Sequence, residues 1–270
     1  MSKEKKTGVR PKKGLGQHFL HDRHTAEKIV AGLETTPDTA LRLLEIGPGM
    51  GVLTRLLARQ RDIDLTVIEI DRESVAYLKT HNLLPGERIL EGDFLKTDLS
   101  RIYPGHFSII GNFPYNISSQ IFFKALEYRH QVDQVVCMLQ KEVAERIASP
   151  HGSKVYGILS VLLQAYYHVD YLFKVSPGVF TPPPRVMSAV IRLRRNDRKQ
   201  LPCNEKLFVQ VVKQGFNNRR KTLRNALKNL NLAGAVSSLP LLDRRAEQLA
   251  VEDFIHLTRL IEESRAGARN

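Results

Sequence analysis

The chain holds only two cysteines, Cys137 and Cys203, in 270 residues. A disulfide framework or a cysteine-based zinc site needs more of them at closer spacing. The expected location is therefore a reducing compartment, the cytoplasm. No apolar run approaches the roughly 20 residues of a membrane span. The start, Met1 to Lys6, has no apolar stretch of the secretory kind, and Glu4, Gly8 and Pro11 make it a poor organelle transit peptide. No His/Cys/Asp cluster has metal-ligand spacing, so no catalytic metal is expected. Acids are also scarce: 28 Asp and Glu face 41 Lys and Arg, a formal net charge of +13. With a pI near 9.8, that excess points to a polyanionic partner, nucleic acid ahead of an anionic membrane surface.

What is present is ordinary globular material. Hydrophobic residues at 42% and charged residues at 26% exclude global disorder and collagen-like repeats. The length suits one large α/β domain with a small satellite. Residues 1–13 carry Lys3, Lys5, Lys6, Arg10, Lys12 and Lys13 against Glu4 alone, and read as a flexible basic arm. An amphipathic helix is predicted from about Thr25. Strands are predicted at Leu41–Ile46, Leu65–Ile70, Arg88–Asp93, Phe107–Ile110 and Gln134–Leu139, with helical segments after the first two. Such spacing indicates a mainly parallel, doubly wound sheet covered by helices on both faces. Val169–Val175 and Ser188–Leu193 read as late strands, with the stiff loop Phe180-Thr181-Pro182-Pro183-Pro184-Arg185 between them. After Arg195 the composition turns polar. Residues 14–195 are accordingly assigned to a Rossmann-like domain and 196–270 to a small helical one, with helices over Glu205–Phe216, Arg219–Leu230 and Val251–Ser264.

The first strand runs into Gly47-Pro48-Gly49-Met50-Gly51 and then a helix. Glycines here let the chain turn tightly and let a ligand approach the backbone. Glu69 ends the second strand about twenty residues on, where an acid can accept from both hydroxyls of a nucleotide ribose. Asp93 ends the third, where a carboxylate can accept from an adenine amino group. These features suit a dinucleotide and S-adenosylmethionine equally.

The fourth strand decides between them, because it leads into Asn112-Phe113-Pro114-Tyr115. An exocyclic adenine amine is a poor nucleophile, its lone pair being delocalised into the ring. Acceptors for its two protons, the Asn112 side-chain carbonyl and the Pro114 backbone carbonyl, favour a more tetrahedral and reactive nitrogen. Tyr115 is placed to stack on an extruded base. No strong base is needed, since the nitrogen turns acidic on alkylation and water can take the proton.

Lys13-Gly14-Leu15-Gly16-Gln17-His18-Phe19-Leu20, Glu45-Ile46-Gly47-Pro48-Gly49, Val67 to Asp71, Gly111 to Ser118 and Leu139 to Val143 together resemble the KsgA family, the small-subunit ribosomal RNA adenine dimethyltransferases. Phe180 to Val186 and Phe216 to Asn225 continue the resemblance over nearly the full chain. It implies S-adenosylmethionine as cofactor, held by His18, Leu20, Gly47, Glu69, Asp93 and Asn112, with Gly49 in the same loop. It also implies N6,N6-dimethylation of two adjacent adenosines in the hairpin loop near the 3′ end of 16S rRNA in the immature 30S subunit. His18 departs from the asparagine common at its position in bacterial members, and Phe113 from a common leucine.

Two further features bear on RNA. Phe180, on its proline-stiffened loop, is a candidate to stack on the target base opposite Tyr115, the alternative being a plug in the core. On a helix Arg220, Arg224 and Lys228 form a basic row, thickened by Arg219 and Lys221 and suited to phosphates. No acid occurs from Phe208 to Leu242, unlike the mixed signs of an ordinary solvated face. The rival readings are a 23S rRNA adenine methyltransferase of the macrolide-resistance type and a non-catalytic RNA-binding assembly factor. A monomer with no membrane partner is expected.

Overall fold

The computed structural model describes residues 8–36, 39–230, 232 and 234–267. In chain order, a 3-10 turn over Lys13–Leu15 leads to β1 (Phe19–Leu20), α1 (Arg23–Val30), β2 (Leu41–Ile46), α2 (Val52–Leu57), β3 (Ile63–Glu69), α3 (Arg72–Thr80) and β4 (Ile89–Glu91). There follow β5 (Phe107–Asn112), α4 (Ser118–Glu127), β6 (Val132–Gln140), α5 (Lys141–Ala148), α6 (Ile158–Gln164), β7 (Tyr167–Val175), β8 (Phe180–Thr181) and β9 (Ser188–Arg195). The chain ends in α7 (Glu205–Asn217), the single turn α8 (Leu223–Ala226) and α9 (Val251–Gly267).

Among the described residues, seven strands form one sheet in the order β4-β3-β2-β5-β6-β9-β7. Strands β2 to β6 are parallel to their neighbours, and β9 runs antiparallel to β6. A central parallel strand is covered on both faces and is mostly apolar rather than alternating. Thus Val135 to Leu139 of β6 are all buried, Cys137 among them, as are Leu43 to Ile46 of β2. The helices carry their own start signals: Asp22 caps α1 by accepting from Thr25 N at 2.7 Å, and Asp71 caps α3 by accepting from Glu73 N at 3.1 Å. The strands agree with the predicted ones to within about two residues. The pair β1–β8, with Phe19 opposite Thr181 and Leu20 opposite Phe180, was not predicted, because two-residue strands carry no periodicity.

The chain divides into two compact units, residues 1–144 with 170–195, and residues 145–169 with 196–270. The C-terminal unit is not 196–270 alone, since it takes in 145–169 as well. The reason is apolar: Leu159, Val161, Leu162 and Leu163 of α6 are buried and pack with α7 and α9. Within that unit the Phe216 ring lies 6.0 Å from Tyr156 and 5.9 Å from Phe254. Of the expected basic arm, residues 1–7 lie outside the described residues, whereas Lys12 is tied to Asp71 and Lys13 opens the 3-10 turn.

The sheet order reverses between β2 and β5, and in such sheets ligands bind beyond the carboxyl ends of the strands at that reversal. The two strands approach closely there, for a Cβ on Gly111 would stand 2.6 Å from the Ile46 carbonyl oxygen. Gly111→Ala should therefore push β5 off β2 and cost ~2 kcal/mol of stability, read as a lowered urea midpoint. An unchanged midpoint would show that the strands part freely.

Candidate active site

Four segments at the carboxyl ends of strands, and one that leads into β1, line a cavity of about 210 Å³: Gly47 and Gly49 at the end of β2, Glu69 and Ile70 at the end of β3, Gly92 to Leu95 after β4, Asn112 to Ile117 at the end of β5, and Gly14 to Phe19. Gly49 has φ +56°, and a Cβ on it would stand 2.8 Å from the Phe19 ring, so both conformation and space demand glycine. Gly47, also at positive φ, has nothing within 4 Å of the place a Cβ would take. The loop thus presents bare backbone to the cavity.

Glu69 forms the floor. Its Oε2 accepts from Gly49 N at 3.0 Å and its Oε1 from Asp71 N at 2.9 Å, so the carboxylate holds the glycine loop in shape while lining the cavity. Burial raises its pKa against these backbone hydrogen bonds. Asp93 lines the same cavity and accepts from Leu95 N at 2.9 Å. Beneath the loop lies Glu45, fully buried, whose Oε2 accepts from Thr54 Oγ1 at 2.7 Å. Burial, with a smaller push from Glu69, drives its pKa up to about 8.

The Asn112 amide is oriented by a long-range contact: Nδ2 donates to the His18 carbonyl at 2.9 Å. The nitrogen donates there, and Oδ1 remains as the acceptor of a residue that lines the cavity. Pro114 O accepts from Ile117 N at 3.2 Å and keeps its second lone pair. The Tyr115 ring stacks on His18 with centroids 5.4 Å apart, and its hydroxyl meets Ser188 Oγ at 2.5 Å. Burial raises the Tyr115 pKa, keeping the phenol neutral.

The expected site residues therefore divide. Asn112, Pro114, Tyr115, His18, Gly47, Gly49, Glu69 and Asp93 all line the one cavity. Leu20 does not; it is buried in β1 and lines a smaller pocket of about 30 Å³ beside the glycine loop. Phe180 requires a correction. It is 2% exposed and packed in the core with Leu20, Met138 and Val190, because pairing of β8 with β1 turns its ring inward. It is a core plug here and not a free stacking surface.

The basic row also requires correction. No continuous helix spans 219–230: α7 ends at Asn217, and Leu223 N donates to Arg244 O at 2.9 Å instead of back along a helix. Arg219 donates to Lys154 O and Tyr156 O at 2.8 and 2.6 Å, and Arg224 to Asp243 at 2.8 Å and to Ser237 O. Both guanidiniums thus make internal hydrogen bonds, while Arg219 stays exposed and Arg224 partly so. Arg220, Lys221 and Lys228 are exposed but share no helix face.

Sequence reasoning missed the clasp that holds 13–18 beside the cavity. Lys12 Nζ binds Asp71 and lies 3.2 Å from Glu73, while Gln17 Nε2 donates to Asp71 Oδ2 at 3.1 Å and Gln17 Oε1 accepts from Lys12 N at 2.9 Å. Burial alone would raise the Asp71 pKa, but the hydrogen bonds from Lys12 and Gln17 outweigh it and the net shift is downward. The only signal was Asp71 at the start of a helix, which accounts for a cap but not for a lysine partner.

The sequence model for "Ribosomal RNA adenine dimethylase" matches residues 8–263. The chain is 55% identical over 253 residues to "Ribosomal RNA small subunit methyltransferase A" of Cytophaga hutchinsonii, covering 94% of this chain and 98% of that one. It is 57% identical over 251 residues to the protein of that name from Parabacteroides distasonis, covering 93% of each. Among solved structures, a dimethyladenosine transferase from Plasmodium falciparum superposes with TM-score 0.73 at 24% identity, over 93% of this chain and 98% of that one, a likeness of fold. The 23S rRNA methyltransferase ErmE superposes with TM-score 0.64 at 26% identity, over 89% of this chain and 99% of that one.

Glu45 yields a test of the site's electrostatics. Because its folded-state pKa is raised, the folded protein holds a proton that the unfolded chain has lost, so stability falls as pH rises from the ordinary glutamate range towards about 8. The loss should be on the order of a few kcal/mol, and Glu45→Gln should flatten it. Parallel curves for the two proteins, by denaturant titration across that range, would show that Glu45 is not the group responsible.

Proposed function

The chain belongs to the ribosomal RNA adenine dimethylase family, and we propose on that footing that it dimethylates N6 of two adjacent adenosines in the hairpin loop near the 3′ end of 16S rRNA, within the assembling 30S subunit. The work is done in the cytoplasm by a monomer. One observation carries the reading: Asn112 lines the same cavity as the glycine loop, with its amide nitrogen bonded to His18 O and its carbonyl oxygen left as acceptor.

The residues present fit S-adenosylmethionine. Bare backbone at Gly47 leaves room for close approach, and the Glu69 carboxylate keeps lone pairs for ribose hydroxyls. Asp93 stands ready for an adenine amino group. When bound, this cofactor supplies the electrophilic methyl group. Every other contribution comes from the chain. Asn112 Oδ1 and Pro114 O accept the two N–H groups of the target amine and localise its lone pair on nitrogen. They also stabilise the positive charge that grows there during transfer. Tyr115 stacks on the extruded base and holds the amine in line, which removes orientational freedom before reaction. The proton is released to water after alkylation, so no side chain need act as a strong base.

In the C-terminal unit, exposed Arg220, Lys221 and Lys228 contact phosphates and place the RNA without reading its sequence. Arg219 and Arg224, which also bond within the unit, belong to the same surface.

The test is methyl transfer from labelled S-adenosylmethionine to unmethylated 30S particles, mature 30S particles, 50S particles and naked 23S rRNA, with the modified nucleosides identified. N6,N6-dimethyladenosine in the unmethylated 30S lane alone is expected. Asn112→Ala should lower that rate by ~10²-fold or more, as loss of one preorganised partner of a developing charge does. Label in 23S rRNA instead would assign the macrolide-resistance activity. Particle binding without transfer would leave an assembly factor.

A further inference from the structure

We propose that His18 is a positioning residue for the target-base pocket, which brackets Tyr115 together with Ser188 and so sets the ring on which the adenine stacks. The proposal rests on the reading of the site as an adenine N6-methyltransferase and adds to it a role for two side chains.

His18 makes three separate contacts from one position. Its backbone carbonyl accepts from Asn112 Nδ2 at 2.9 Å. Its ring stacks on Tyr115 at 5.4 Å between centroids, with 30° between the planes. Its Nδ1 lies 2.8 Å from Pro182 O. A carbonyl can only accept, so Nδ1 carries the proton and donates, and the ring is fixed in one tautomer and one orientation. That bond anchors the imidazole to the proline-stiffened segment, which has little freedom of its own. The ring is thus a rigid plate against one face of Tyr115.

Ser188 holds the other end of the same tyrosine. It is fully buried at the start of β9, opposite Gln140 of β6, and its hydroxyl shares a 2.5 Å hydrogen bond with Tyr115 Oη. A phenol fixed at its hydroxyl and stacked along its ring has lost the two motions that would misplace it, rotation about the Cα–Cβ bond and tilt of the ring. Neither contact needs the cofactor. The family resemblance gives His18 a cofactor contact; to that the structure adds the ring's contacts with Tyr115 and Pro182 O.

The two roles separate kinetically. A residue that only holds cofactor raises the dissociation constant for it, while one that aligns the base lowers the rate from the fully bound state. We expect His18→Ala to reduce the single-turnover rate on unmethylated 30S particles by ~10-fold or more. The dissociation constant for S-adenosylhomocysteine, by calorimetry, should change by less than about threefold. His18→Asn, which keeps a side-chain N–H donor, should recover part of the rate. Ser188→Ala should slow the same step, and His18→Ala/Ser188→Ala should be slower than the worse single variant by much less than the product of the two effects, since both act through Tyr115. Retained S-adenosylhomocysteine binding shows that each variant is folded. A weakened dissociation constant with an unchanged rate, or independent multiplicative effects, would overturn the proposal alone. A wild-type protein that leaves every 30S adenosine unmodified would overturn the functional reading and the proposal with it.

Discussion

The pairing of β2 with β5 is the contact on which the site depends. It joins the strand that ends in the glycine loop to the strand that ends in Asn112, at the point where the sheet order reverses. Backbone hydrogen bonds hold that register, and Gly111 lets the two chains close to a distance no side chain would permit. The bare backbone of the glycine loop and the Asn112 side chain then stand at one edge without a dedicated linker. The rest of the cavity is added around this edge: Glu69 and Asp93 from the strands on one side, and Tyr115 from the loop beyond β5.

A second constraint comes from the residues that precede β1. Lys12 and Gln17 bind Asp71, and the His18 carbonyl binds Asn112, so this segment is tied at both ends to the carboxyl edge of the sheet. The attachment trades an exposed chain for hydrogen bonds to a buried carboxylate, which are worth more than surface pairs because water competes less. It also explains why Asp71 is held ionised while Glu45 and Glu69 are pushed towards protonation. All three are screened from water, but only Asp71 has a lysine beside it.

Much of the fold was legible because a buried parallel strand is mostly apolar: Val135 to Leu139 is an unbroken apolar run, and Leu41 to Ile46 is interrupted only by Arg42 and Glu45 before the glycine loop. The C-terminal basic row was less legible. Its i, i+4, i+8 spacing is consistent with a helix, but Asn217 and Asn218 favour a turn, α7 ends at Asn217, and a separate turn starts at Leu223, whose N–H goes to Arg244 O. Phe180 shows the same limit, since a two-residue pairing between β1 and β8 decides that its ring faces inward.

By itself the sequence determined the order of strands and helices, the glycine loop, the acids at successive strand ends and the tetrapeptide that marks an amine-directed methyltransferase. Each of these is written in neighbouring residues, through periodicity or local turn chemistry. Only the tertiary structure decided which way the Asn112 amide points, what His18 touches, which arginines make internal bonds and where Phe180 lies. Those outcomes depend on contacts between groups far apart in the chain, 94 residues for Asn112 and His18 and 164 for His18 and Pro182. A side chain's nearest neighbours along the chain do not specify such contacts; they exist only once the sheet has brought its edges together.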